Sequence, residues 1–149
     1  MTYEELKISL DINDPVKVFL NAVEALYIND ERLLVICDDG DCHVFDWSGR
    51  EHDIKCINEI YNYMFYFEES LKSIKIPDSV KSIGNFAFSN CPLLESIEIP
   101  RSVEDIGYDA FVACDGLEKI VFKDKTIKEV KQMDNYPWGI EDMSVIKCI

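Results

Sequence analysis

Two patterns of apolar and polar positions divide the chain. From Leu71 the order Leu-x-x-Ile-x-Ile-Pro-x-x-Val-x-x-Ile-Gly-x-x-Ala-Phe-x-x-Cys runs to Cys91. It returns 23 residues later, without a gap, from Leu94 to Cys114. A third start follows at 117–122, and a decayed copy precedes at 60–71. The phase holds through Ile60, Ile83 and Ile106, through Phe65, Phe88 and Phe111, and through Leu71, Leu94 and Leu117. Self-similarity of this kind marks an array in which each unit buries its apolar face against the next.

Each unit predicts its own local structure. Leu-x-x-Ile-x-Ile-Pro reads as a short strand with alternate residues on one face, ended by a proline that cannot donate to a continuing ladder. Stacked copies would pair as parallel strands about 4.8 Å apart. Gly84 and Gly107 mark turns where a Cβ would be costly. The pairs Ala87-Phe88 and Ala110-Phe111 supply a small residue for close approach and a large one for the interior. Cys91 and Cys114 occupy the same point of each copy and are expected to stack in the core.

Residues 1–59 lack this phase. Their middle alternates as a β-meander over 25–28, 32–37, 42–47 and 53–57, with hairpin turns at Asp39-Gly40 and Ser48-Gly49. Both faces of the central pair are apolar, so each needs cover, and the first solenoid turn is the nearest. At the other end, 125–133 carries apolar residues at 127, 130 and 133, which suits a short amphipathic helix. A turn cluster at 135–139 and a last strand within 144–149 complete a cap, with Trp138 as its plug. The expected fold class is α+β, mainly β. It comprises an acidic β-rich cap or small domain (1–59), a solenoid of parallel strands with a 23-residue period (60–122) and a helix/strand cap (123–149).

The motif of residues 71–114, and with decay of 60–122, resembles that of the BspA-like (Treponema-type) leucine-rich-repeat family. The resemblance implies a curved parallel solenoid serving in recognition, with no cofactor or active site and with the concave strand face as the usual contact surface. Many such proteins are described as surface proteins with long arrays, whereas this chain has few repeats. The decayed copy also departs from the pattern. It places Tyr66 and Phe67 where the good copies have Ser89-Asn90 and Val112-Ala113, and Tyr61 where they have glycine. Aromatics at such outer positions need cover, either from the N-terminal module or from a partner.

Charge narrows the partners. Fifteen basic against 29 acidic residues give a net charge of −14, of which residues 1–59 carry −9, 60–122 carry −5 and 123–149 none. Such a surface disfavours nucleic acid and anionic membranes and favours basic proteins. No run approaches the roughly 18 apolar residues of a membrane span. The start is acidic rather than leader-like, so a cytoplasmic protein is expected. With that location and a sizeable core, the six cysteines read as reduced.

Chemistry-bearing motifs are few. Cys37-x4-Cys42-His43 lacks the second ligand pair of a zinc site. Asp38-Asp39-Gly40-Asp41 lacks the closing glutamate of a calcium loop and reads as a solvated hairpin tip. Only two histidines are present, and no nucleophile elbow, phosphate-binding loop or zinc-protease motif occurs. No enzyme, metal or cofactor is therefore expected.

The expected function is a non-enzymatic protein-binding module, monomeric because both ends are capped. Candidate contact residues fall in three groups: the acidic Asp38, Asp39, Asp41, Glu51 and Asp53; the aromatic Tyr66 and Phe67; and the outward strand residues Lys75, Glu98 and Lys119. One alternative is a phage or bacterial conflict-system inhibitor of anti-CRISPR, antitoxin or immunity type. Its carboxylates would block the basic nucleic-acid-binding site of a nuclease. Another is a fragment of a bacterial surface adhesin.

Overall fold

A computed structural model describes residues 22–29, 32–37, 40–46, 50–69 and 71–149. Strands β1 (Ala22–Asn29), β2 (Arg32–Cys37), β3 (Cys42–Asp46) and β4 (Glu51–His52) form an antiparallel meander in sequential order. The expected strand over 53–57 is instead a 3-10 turn at Ile54–Cys56. The Asp53 carboxylate accepts the Lys55 N–H at 2.9 Å, which caps that turn and ends the extended backbone.

The repeats wind through β5 (Glu59–Ile60), β6 (Ser73–Lys75), β7 (Ser82–Ile83), β8 (Ser96–Ile99), β9 (Asp105–Ile106) and β10 (Lys119–Phe122), and β11 (Ile146–Cys148) closes the array. Two parallel sheets result, ordered β6-β8-β10-β11 and β5-β7-β9. Their register equals the sequence period: Ile74 pairs with Ile97, Ile97 with Ile120, and Ile60 with Ile83 and then Ile106.

Inside, repeat positions stack on themselves. The rings of Phe65, Phe88 and Phe111 lie nearly parallel, with centroids 4.8 and 5.5 Å apart. The Cys91 thiol donates to the Phe65 carbonyl at 3.0 Å and the Cys114 thiol to the Phe88 carbonyl at 2.9 Å. Hydrogen-bond coupling to Cys114, reinforced by burial, pushes the Cys91 thiol well above its ordinary range.

The two glycines answer to close approach. A Cβ on Gly84 would lie 2.5 Å from the Asn62 backbone nitrogen and Oδ1, and one on Gly107 would meet Asn85 in the same way. That proximity lets Asn62 Oδ1 accept the Asn85 N–H at 2.7 Å and Asn85 Oδ1 accept the Tyr108 N–H at 2.8 Å. Among the described residues no earlier turn lies against Tyr61, so an aromatic is tolerated where the later copies need glycine.

The C-terminal end is closed as the sequence leads one to expect. Helix α1 (Ile127–Lys131) is shorter than its periodicity predicts, because a capping box between Thr126 and Glu129 starts it late. Trp138 is 1% exposed, packs on Phe122 and Tyr136, and donates its indole N–H to the Asp134 carbonyl. Asn135 Nδ2 donates to the Ile106 carbonyl at 3.2 Å, replacing the glycine N–H that serves Ile60 and Ile83 in the turns before.

The meander joins the solenoid at the strand side. Leu34, Ile36 and Val44 enter the same apolar cluster as the repeat core, and Val35, on the opposite face of β2, is also fully buried. The hairpin tip is not simply solvated. Gly40 is buried in a left-handed conformation (φ 89°), and its carbonyl accepts the Lys75 N–H of β6 at 2.9 Å. A Cβ there would come within 3.1 Å of Ser73 Oγ, so glycine lets the tip reach the edge strand.

Candidate functional site: the outer face of the long parallel sheet

Alternation in β6, β8, β10 and β11 sends the isoleucines inward and leaves two rows on the outer face. One row is Ser73, Ser96 and Lys119; the other is Lys75, Glu98, Val121 and Lys147. Val121, expected to point outward, lies in the second row yet is nearly buried between its neighbours. Charges alternate along this row and its margins. Lys75 bridges Asp41 at 3.2 Å, and Glu98 bridges Lys123, also at 3.2 Å. Both pairs are substantially exposed, so each contributes at most about 1 kcal/mol to stability and is available for exchange with a partner's charges.

At its meander border the face opens into a cleft of about 700 Å³. Ile54, Ile76, Pro77 and Pro100 supply its apolar surface. Lys55, Lys75, Lys81 and Lys123 line it together with Asp41, His43, Asp78 and Glu98. Four lysines thus converge from separate parts of an acidic chain. Sequence reasoning missed Lys55, Lys81 and Lys123, because Lys55 precedes the repeats and Lys81 and Lys123 stand at unrelated points along them, so no period relates the three.

The residues singled out in the sequence scatter. Asp38 and Asp39 lie outside the described residues. Asp41 faces the cleft, Glu51 hydrogen-bonds the His43 Nδ1 at 2.8 Å, and Asp53 caps the 3-10 turn. Lys75 and Glu98 share a row of the sheet face, and Lys119 stands exposed in the other. Tyr66 and Phe67 belong elsewhere, on the turn side, with 42% and 55% of their surface exposed. Among the described residues no group of three or more His, Cys, Asp or Glu is placed to hold a metal ion, and no helix is long and apolar enough to cross a membrane.

The model of the BspA-type leucine-rich repeat region matches residues 57–136, more than half of the chain, in six copies. The chain belongs to the BspA-type leucine-rich-repeat family. Among solved structures, a leucine-rich repeat protein from Bacteroides capillosus is similar in fold, with a TM-score of 0.52 and 22% identity over 85% of this chain and 99% of that one. A leucine-rich cell surface protein from Faecalibacterium prausnitzii matches 73% of this chain and 35% of its own, with 20% identity and a TM-score of 0.43. No curated protein sequence is significantly similar to the chain. The BspA-type repeat accounts for the parallel sheets, the stacked phenylalanines and the thiol ladder, and its match begins after the meander.

Proposed function

We propose that this leucine-rich-repeat chain is a non-enzymatic protein-binding module that holds a segment of another protein on the outer face of its long parallel sheet. The observation that carries this reading is the charge order Asp41, Lys75, Glu98, Lys123, beside a cleft with apolar walls. An alternating row recognises a segment of the complementary order and rejects one shifted by a strand, since like charges would then meet. The apolar walls supply area that the charged row cannot. In this reading residues 1–59 serve as a cap that also forms one wall of the site, and 123–149 as the opposite cap.

The acidic-inhibitor alternative draws no support from the described N-terminal carboxylates. Asp41, Asp46, Glu51 and Asp53 are each engaged locally, with Lys75, His52, His43 and the Lys55 N–H. The test is a swap, K75E together with E98K, which keeps net charge and destroys the alternation, setting like charges side by side at both ends of the row. Capture of a partner by the tagged chain should fall at least tenfold with thermal unfolding little changed. Capture equal to that of the unaltered chain would refute this site.

A further inference from the structure

Each turn of the solenoid hands its backbone hydrogen bonds to the next. The N–H groups of Tyr63, Phe65 and Phe67 donate to the carbonyls of Asn85, Ala87 and Ser89. In the same way Phe86, Phe88 and Asn90 donate to Tyr108, Ala110 and Val112. The carbonyls at the equivalent places of the first turn belong to Asn62, Met64 and Tyr66. Among the described residues no donor reaches them. They form an open acceptor edge of a ladder that is otherwise continuous, and an edge of this kind is a template for another strand or turn.

The side chains around that edge are unusual for a surface. Tyr61, Tyr63, Tyr66 and Phe67 are all 42–55% exposed, within seven residues of one another. Tyr66 stands edge-on to both Tyr63 and Phe67, and Tyr63 stacks on Phe86 of the next turn, so the rings form one continuous patch. Phe67 also holds a left-handed backbone (φ 59°) where the next copies place Asn90 and Ala113. The backbone is left-handed at this point in all three copies, and only here does it carry a large ring, which is 55% exposed and touches Tyr66 edge-on.

We propose that this turn-side edge, residues 61–67, docks an extended arginine- or lysine-bearing segment of a different protein, which adds its backbone N–H groups to the carbonyls of Asn62, Met64 and Tyr66. Charge sets the chemistry of the occupant. Residues 56–71 hold Glu59, Glu68 and Glu69 and no lysine or arginine, so the edge is aromatic and acidic, which is the surface a cation on an apolar strand fits best. A second copy is a poor occupant. Two such edges face to face would oppose acceptor to acceptor, and the far end of the solenoid is covered by Asn135, Trp138 and Gly139. The edge is separate from the sheet face proposed above and stands or falls without it.

The probe is a fluorescein-labelled eight-residue peptide alternating arginine and valine, titrated against the full chain by anisotropy. Two controls keep every charge. The first is the same peptide N-methylated on alternate residues, which removes the donors. The second is the Y66S/F67N chain, which takes the residues of the following copy and removes the two rings at the edge. Each should bind at least tenfold more weakly than the parent pair, whereas K75E/E98K should bind the parent peptide as the unaltered chain does. Equal affinity for either charge-matched control, or no saturable binding at all, overturns the proposal. A dimer of the chain that Y66S/F67N dissolves would assign the edge to a second copy and overturn it too.

Discussion

The two ends of the solenoid solve the same problem differently. At the C-terminal end the last turn meets a tryptophan that is 1% exposed, an asparagine whose side chain replaces a missing backbone donor, and a strand that extends the long sheet. At the N-terminal end the described residues close the strand side alone, through the Gly40 carbonyl on Lys75 and meander residues in the core. Among the described residues the turn side ends in three carbonyls that no donor reaches and a group of exposed aromatic rings. The difference teaches that capping a solenoid is not one task. Its strand edge and its turn edge expose separate sets of backbone groups, and a cap can satisfy one while leaving the other for a partner.

That contrast can be broken most sharply at Trp138. Replacing it with alanine should cost about 3–5 kcal/mol, by loss of a fully buried ring, and should be seen as a lower urea midpoint. The exposed rings of the opposite end should behave otherwise, with Y66S/F67N within about 1 kcal/mol of the parent. A loss at that end as large as the one at Trp138 would show that both edges are structurally capped.

A smaller effect separates glycines within the array. Gly107→Ala forces a Cβ into Asn85 and should destabilise by about 1–3 kcal/mol. Tyr61→Gly, which restores the repeat consensus where none of the described residues stacks beneath, should change stability by less than about 1 kcal/mol. Chemical denaturation of the two variants decides whether stacking, rather than the turn itself, imposes glycine.

The smallest expected effect lies in the C-terminal cap. Hydrogen bonds from the Ser144 hydroxyl and then from its backbone N–H hold the Asp142 carboxyl below the usual carboxylate range. A folded-state pKa that is depressed contributes stability above the unfolded value, near 3.9 for aspartate, and the contribution is lost as pH falls through the folded value. Melting temperatures of the parent and of Asp142→Asn should therefore differ slightly at neutral pH and converge in acid. A difference that grows on acidification would exclude this role.

Legibility followed the period. The parallel strands, the phenylalanine stack and the cysteine ladder could be read from residues spaced 23 apart, because each copy repeats the same contacts with its neighbours, and the tryptophan plug from the aromatic turn cluster at 135–139. Errors gathered where local geometry competed with pattern. Residues 54–56 left the strand because Asp53 offered a cap, and Gly40 of the hairpin tip is buried because, lacking a Cβ, it can approach β6. Of the candidate contact residues, Lys75 and Glu98 did come to share a surface. Tyr66 and Phe67 drew attention as aromatics out of place, but nothing in the sequence told whether the meander would cover them.

The sequence by itself determined the architecture of the repeats, the identity of the core and the sign of the charge, since these depend on spacing and composition alone. Tertiary structure decided which lysines meet in a cleft and which backbone acceptors are left open. Both depend on how the non-repeating meander docks against a single edge of the array, and a contact between unlike elements leaves no period to read.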